Sequence, residues 1–249
     1  MIPILHRLEV EAMRKACRLS AQILAEVADR VAPGMTTGEL DLFAAERMRG
    51  YGVESAFYRY GGFPGYCCIS LNEEIVHGIP GNRVINEGDI VSVDLGVKTG
   101  GFNGDNAVTV RVGRVPEDVN RLCKVCEESM WAGIDMARAG NHVGDIGHAV
   151  QTMAEAAGFG VIRDYCGHGV GRHLHEDPQI PNFGRAGRGP MLKAGMCLAI
   201  EPMITLGTYR VDVMPNDWTV VTKDRRASAH FEKTVLVKPS GPPEILTEA

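Results

Sequence analysis

Two aspartates, Asp94 and Asp105, flank a short glycine-rich segment between strand-like runs. Alternating β-forming residues at 90–93 lead up to Asp94, and a second such run, 107–110, follows Asp105. β-Forming residues on both sides of a Gly-Gly turn predict a hairpin. With a tight turn centred on Thr99-Gly100, the two carboxylates would stand opposite each other, their Cβ atoms about 4.5–5.5 Å apart. Carboxylates that close need a shared proton, or a cation between them.

An internal repeat adds two further acids. Two pairs of segments match at nearly equal offsets of 106 (140 − 34) and 107 (195 − 88) residues, namely 33–40 with 139–146 and 88–94 with 195–201. The second match puts Glu201 where Asp94 stands, and Glu232 opens a β run as Asp105 does. The repeat predicts two helix–helix–strand–strand halves that each direct two carboxylates towards a pseudo-two-fold axis.

A histidine completes the set. His168 lies between two glycines, where the backbone can approach a site closely. Four carboxylates and one imidazole suit Mn, Fe, Co, Ni or Zn, and bridging acids favour a pair of ions. A structural zinc site is disfavoured, because no cysteine thiolate belongs to the set.

Length and composition limit what surrounds this site. The 249 residues, 45% of them hydrophobic, are enough for one large domain or two fused halves. The net charge of −5 gives no basic excess, so DNA is not an expected partner. Seven scattered cysteines, an odd number, favour reduced thiols and a cytoplasmic protein. No leader and no apolar run of about 18 residues is recognised, so no membrane contact is expected.

The periodicity of apolar residues predicts the elements that position the site. Helices are expected over 7–31, 37–50, 116–137 and 143–157, with Thr36 and Glu39 forming a capping box at the start of the second. Strands are expected at 67–71, 161–165, 196–200, 219–222 and 234–237. Alternating helical and strand segments without a linker indicate one α+β domain, 1–249, with halves of about 1–115 and 116–249.

Three motifs carry a family resemblance. They are His168-Gly-Val-Gly-Arg-His-Leu-His175-Glu-Asp-Pro178, Gly195-x5-Glu201-Pro202-Met203, and Asn72-Glu-x-x-Val-His77-Gly-Ile-Pro80. Together they resemble the type I methionine aminopeptidases of peptidase family M24, from the first helix to about residue 238. The resemblance implies a pita-bread fold, in which two pseudo-symmetric halves surround a curved, largely antiparallel sheet with helices outside. It also implies removal of the N-terminal methionine from nascent chains whose second residue is small.

The resemblance implies a role for each member of the acid and histidine set. Asp94 would chelate one of two divalent ions, Asp105 and Glu232 would bridge both, and His168 and Glu201 would complete the other. The ion pair would activate a bridging water and polarise the scissile carbonyl. Glu201 would also pass the water proton to the leaving amine.

Further residues are implied to contact the substrate. His175 would donate to the developing oxyanion or the scissile carbonyl. His77 would contact the substrate near the scissile amide and assist proton transfer. The methionine pocket would be lined by Tyr60, Phe63, Cys68, Leu174 and Trp218, a soft apolar set that suits a thioether.

Other polar residues receive weaker assignments. Asn72 and Ser228 correspond to positions that bind a structural monovalent cation in type I enzymes. The histidines outside the motifs are expected to be structural or at the surface, namely His6, His142, His148 and His230.

Two alternatives remain open from the sequence. One is a metallopeptidase of the same fold that acts on X-Pro bonds, although such relatives usually carry a sizeable N-terminal domain. The other is a non-catalytic peptide-binding module, against which the five intact ligand positions argue. A monomer that acts on nascent peptides, with transient ribosome contact, completes the expectation.

Overall fold

The computed structural model describes residues 2–248, which contain four α-helices and fifteen strands. The helices are α1 (Arg7–Arg30), α2 (Thr37–Gly50), α3 (Glu117–Asp135) and α4 (Val143–Ala156). The strands of the first half are β1 (Glu54–Ser55), β2 (Cys68–Leu71), β3 (Glu74–Val76), β4 (Ile90–Thr99) and β5 (Phe102–Arg111). Those of the second half are β6 (Gly160–Val161), β7 (Gly167–Gly169), β8 (Glu176–Ile180), β9 (Cys197–Ile200), β10 (Met203–Thr205), β11 (Val211–Val213), β12 (Val220–Thr222), β13 (Ser228–His230), β14 (Lys233–Leu236) and β15 (Glu244–Ile245).

The predicted helices form within one or two residues of their expected ends. The capping box of α2 is present, since the Thr36 side chain accepts from the Glu39 amide and Glu39 accepts from the Thr36 amide at 2.8 Å. Together these bonds satisfy two amides that a free helix end would leave unpaired. The apolar face of α1, including Met13 and Val27, is fully buried against the sheets.

Antiparallel sheets form the centre of the molecule. One has the order β1-β4-β2 with β5 on β4, and another has the order β15-β14-β9-β7-β8. Smaller sheets have the orders β13-β10-β6 and β11-β12-β3. A bridge between Ala107 of β5 and Glu232, just before β14, joins the two halves.

The β4–β5 hairpin has a different register from the one predicted. Gly100 and Gly101 both have positive φ, 59° and 79°, and they form the two-residue turn. This turn type matches the twist of the strands, so it sets the centre of the hairpin between the two glycines. Asp94 therefore pairs with Ala107 and Asp105 with Gly96, and the predicted direct opposition is wrong. Because the slip is two residues, both aspartates keep the same face of the sheet.

The predicted pseudo-two-fold relation is visible in matching backbone bonds. Gly88 and Gly195 precede β4 and β9, and both have a φ of 90°, which favours glycine. The Gly88 amide donates to Val112 at 2.8 Å, and the Gly195 amide donates to Val237 at 2.9 Å. Each half therefore closes its central pair of antiparallel strands in the same way.

The predicted equivalence of the second acids is wrong. Asp105 stands opposite Gly96, and Gly96 is two residues after Asp94. His230 stands opposite Met203, at the same point in the second half. The counterpart of Asp105 is therefore His230, whereas Glu232 lies two residues later on the same face.

Each half has its own apolar core. In the first, Leu40 and Val93 belong to a cluster between α1, α2 and their sheet, and in the second, Ile146 and Leu198 belong to a cluster beneath α3 and α4. Among residues 2–248, none of the helices combines the length and the apolar character needed to cross a membrane.

Candidate active site

A cavity of about 450 Å³ opens between the two halves. Its floor is lined by the four acids and the histidine that the sequence singled out, namely Asp94, Asp105, His168, Glu201 and Glu232. The first two come from β4 and β5, His168 comes from β7, and Glu201 and Glu232 lie at the ends of β9 and β14. Both halves therefore contribute to one polar centre.

The side chains of this centre approach one another closely. His168 Nε2 is 3.4 Å from Glu201 Oε1 and 3.8 Å from Asp105 Oδ2. One ligand atom from each of Asp105, His168 and Glu232 lies within 4.8 Å of the others. Such a cluster can surround a cation.

Burial and mutual repulsion set the protonation of the centre. Burial raises the pKa of each of the four carboxyl groups, and neighbouring carboxylates raise the pKa values of Asp94, Glu201 and Glu232 further. Asp94 Oδ1, Asp105 Oδ1 and Glu232 Oε1 are buried without a hydrogen-bond partner among the described residues. Burying carboxylate oxygens without partners costs free energy. Ionisation of these four carboxyl groups is therefore unfavourable unless a cation is bound among them.

The protonation state of His168 leaves one ring nitrogen free to bind a metal ion. His168 Nδ1 lies 2.9 Å from the Gly169 carbonyl, which can only accept, so Nδ1 carries the proton. Burial lowers the pKa of His168 to about 4, which keeps the ring neutral. The Nε2 lone pair therefore faces the carboxylates. A neutral imidazole with carboxylates is a donor set that fits divalent ions such as Mn, Fe, Co, Ni or Zn.

Two further histidines stand beside the centre. The rings of His175 and His168 pack edge to face with centroids 4.4 Å apart, and His175 Nδ1 lies 2.9 Å from the Tyr60 hydroxyl. His77 packs its ring against Tyr165 and adopts a φ of 57°. A positive φ is strained for a residue with a Cβ atom, and such strain is common at functional sites.

An apolar wall lies next to the polar centre. Phe63, Cys68 and Leu174 are buried and pack in one cluster with Phe57 and Trp218. The ring centroids of Phe63 and Trp218 are 5.1 Å apart. Each predicted pocket residue, including the exposed Tyr60, lines the same cavity as the acids. The cavity thus joins an apolar recess to a polar floor.

The sequence analysis missed one residue of this site. His230 is only 1% exposed, and its Nε2 lies 3.6 Å from Glu201 Oε2. Burial lowers the pKa of His230 to about 3, so the ring is neutral. The available signal was its position two residues before Glu232, since alternate residues of a strand share a face.

The two residues predicted to bind a monovalent cation are neighbours. The Ser228 amide donates to the Asn72 carbonyl at 2.8 Å, and the Ser228 hydroxyl donates to Ile204 at 3.0 Å. The Asn72 side chain donates to Asp89 and accepts from the Ile90 amide. The backbone bond between Ser228 and Asn72 holds the two residues side by side.

Comparison with known proteins agrees with this geometry. The model of metallopeptidase family M24 matches residues 11–239. The methionine aminopeptidase of Clostridium acetobutylicum is 47% identical over 248 residues, which cover 99% of both chains. The crystal structure of methionine aminopeptidase from Thermotoga maritima superposes with a TM-score of 0.98 at 46% identity, with complete coverage of both chains.

More distant structures share the fold. The prolidase of Pyrococcus horikoshii has a TM-score of 0.79 at 21% identity, and the match covers 99% of this chain and 63% of that one. The predicted pita-bread architecture is therefore confirmed. The full-length similarity at high identity favours the aminopeptidase interpretation over the X-Pro and binding-module alternatives. The chain belongs to metallopeptidase family M24, in its methionine aminopeptidase branch.

Proposed function

We propose that this protein removes the N-terminal methionine from peptides and nascent chains whose second residue is small. The observation that carries the proposal is the cavity in which an acid–histidine centre adjoins an apolar recess. The recess suits a methionine side chain, and the centre suits hydrolysis of the bond that follows it.

We assign two divalent ions to the polar centre, held by Asp94, Asp105, His168, Glu201 and Glu232. The unpartnered oxygens of Asp94, Asp105 and Glu232 and the free Nε2 of His168 support this assignment. When bound, the ions supply Lewis-acid chemistry, which acidifies a water and polarises the scissile carbonyl. Cobalt, manganese, iron, zinc and nickel all suit this donor set.

Three side chains act on protons and on the substrate. Glu201, whose pKa burial raises well above that of a free carboxyl group, accepts the water proton and delivers it to the leaving amine. His175 donates to the oxygen of the scissile carbonyl as negative charge develops there. His77, which lines the same cavity, contacts the substrate near the scissile amide.

The recess selects methionine by its unbranched shape and its polarisable sulfur. Phe63, Trp218 and Leu174 enclose an unbranched side chain, and the Cys68 sulfur offers a polarisable contact to a thioether. Tyr60 closes the outer edge while staying 45% exposed. A charged or branched first residue would lose these contacts.

Several finer assignments stay predictions. They are a structural monovalent cation at Asn72 and Ser228, one catalytic domain with halves of about 1–115 and 116–249, a monomeric state, transient ribosome contact and a cytoplasmic location. The adjacency of the Asn72 carbonyl and Ser228 supports the first. The odd number of scattered cysteines supports the last.

The test measures release of free methionine from Met-Ala-Ser by metal-stripped protein. Co²⁺, Mn²⁺, Fe²⁺, Zn²⁺ and Ni²⁺ are added back separately. Met-Leu-Ser and Ala-Pro-Ser are assayed in parallel as comparison substrates. We expect metal-dependent cleavage of Met-Ala-Ser alone. Cleavage of Met-Leu-Ser at a similar rate would refute the requirement for a small second residue.

Matched variants test the metal centre. Asp105→Asn should abolish activity with every metal, because a neutral amide is a poor ligand for these ions. Asp212→Asn makes the same change at an exposed aspartate of β11 and should leave activity unchanged. Preference for Ala-Pro-Ser would move the chain to the X-Pro class, and metal binding without any cleavage would favour a binding module.

A further inference from the structure

His230 is a buried histidine whose second ring nitrogen has no partner. Its Nε2 makes no hydrogen bond with any other part of residues 2–248 and lies 3.6 Å from Glu201 Oε2. The ring is almost completely enclosed, at 1% exposure. An enclosed polar atom without a partner carries a free-energy cost, which is tolerated where the atom has a use.

The fold directs His230 to the polar centre. His230 has the same position in the second half that Asp105 has in the first. It also precedes Glu232 by two residues in an extended segment, so the two side chains lie on the same face. Its backbone is fixed by Thr109, which donates to the His230 carbonyl at 2.7 Å and accepts from its amide at 2.9 Å. The symmetric bond joins Thr234 to the Asp105 carbonyl at 2.7 Å.

The contact of His230 is with a ligand rather than with the ion position. Glu201 lies between two imidazoles, with Oε1 at 3.4 Å from His168 Nε2 and Oε2 at 3.6 Å from His230 Nε2. The ligand atoms that lie within 4.8 Å of one another belong to Asp105, His168 and Glu232, a group that contains neither Glu201 nor His230, and the carboxylate next to His230 Nε2 is that of Glu201. A neutral imidazole that faces a carboxylate oxygen is suited to donate its N–H to it.

We propose that His230 is a positioning residue, whose Nε2–H donates to Glu201 Oε2 and orients that carboxylate for the metal pair. The inference rests on the proposed function, because it assumes that Glu201 is a ligand. Separations of this kind shorten towards about 2.9 Å when a site binds its ligands. Outer partners that fix a ligand in this way strengthen metal binding.

The test is calorimetric titration of metal-stripped protein with Mn²⁺. We expect His230→Leu, which removes the donor, to weaken binding by about 10- to 100-fold. His230→Gln, which restores an N–H donor of similar reach, should recover most of the affinity. His148→Leu makes the same change at an exposed histidine of α4 and should bind Mn²⁺ as the wild type does.

Two readouts separate positioning from packing. A packing role would lower the melting temperature of the metal-stripped variants and leave Mn²⁺ affinity unchanged, which would overturn the proposal. Nitrogen-15 NMR of the Zn²⁺-loaded wild type should show the His230 proton on Nε2. A proton on Nδ1 would overturn the proposal even if His230→Leu failed to fold.

Asp105→Asn serves as the reference for the metal site itself. If it binds Mn²⁺ as tightly as the wild type, the proposed metal centre fails together with this inference. If it loses Mn²⁺ while His230→Leu binds normally, the metal centre stands and only the role of His230 is refuted.

Discussion

The hydroxyl of Tyr60 offers the sharpest single-atom test of the site. It lies 2.9 Å from His175 Nδ1. If the phenol donates, the His175 proton is on Nε2, and Nε2–H becomes the donor for the scissile carbonyl. Tyr60→Phe removes this bond and keeps the ring that closes the methionine recess. We therefore expect kcat to fall while KM changes little.

The size of the effect follows from the bond. A hydrogen bond contributes about 0.5–1.5 kcal/mol net, and about 1.4 kcal/mol corresponds to a tenfold change in rate. Because Tyr60 is 45% exposed, water replaces part of the lost bond. The expected loss in kcat on Met-Ala-Ser is about 2- to 10-fold.

Tyr58→Phe is the matched control. Tyr58 stacks on Tyr66 with ring centroids 4.5 Å apart and does not line the cavity. Its hydroxyl should be dispensable for both kcat and KM. Equal kcat values for Tyr60→Phe and the wild type, or a loss confined to KM, would refute the role assigned to the hydroxyl.

Three further predictions concern the frame around the site. Gly104→Ala should destabilise the protein by about 1–3 kcal/mol in urea denaturation, because its Cβ would lie 2.5 Å from backbone atoms of Ala16. Gly50→Ala, which meets nothing within 4 Å, should have little effect. Thr234→Val should cost about 1–3 kcal/mol by leaving the buried Asp105 carbonyl without its donor, whereas Thr152→Val at an exposed helical position should not. The metal-stripped protein should lose thermal stability as the pH rises from 5 to 8, because burial raises the pKa of Asp105 from 3.8 to about 7. The folded state then holds a proton that the unfolded state has released, so stability is greatest at low pH and falls as the pH rises through 7. Asp105→Asn should reduce this slope while abolishing metal binding, and the buried Asp94, Glu201 and Glu232 should supply the slope that remains. An unchanged slope would contradict the assignment.

Local signals predicted the helices well, because their ends are determined by neighbouring residues. The Thr36–Glu39 capping box is such a signal, and α2 begins where it indicated. Strands were predicted less well, since pairing partners are remote in sequence. Glu176–Ile180 was missed because its charged residues and a proline lack clean alternation, although it forms an edge of the five-stranded sheet.

The two errors at the site have one physical origin, which is register. The motifs identified the acids, but only the Gly100-Gly101 turn determines which residue faces Asp94. A slip of two residues leaves the faces unchanged, so the two aspartates still share one face although their predicted pairing was wrong. The position of His230 two residues before Glu232 was a signal in the sequence, but its equivalence to Asp105 is visible only in the paired strands.

Because the polar centre is divided between two halves, the stability of the folded protein should depend on the concentration of available divalent metal. Asp94 and Asp105 belong to one half and Glu201 and Glu232 to the other, so ions bound at the proposed centre would hold the two halves together. At 100 times its dissociation constant, a ligand specific to the folded state adds about 2.7 kcal/mol of stability. This is a substantial part of what a typical domain possesses. Metal starvation would therefore reduce the amount of folded chain as well as its activity, since unfolded molecules are removed by proteolysis.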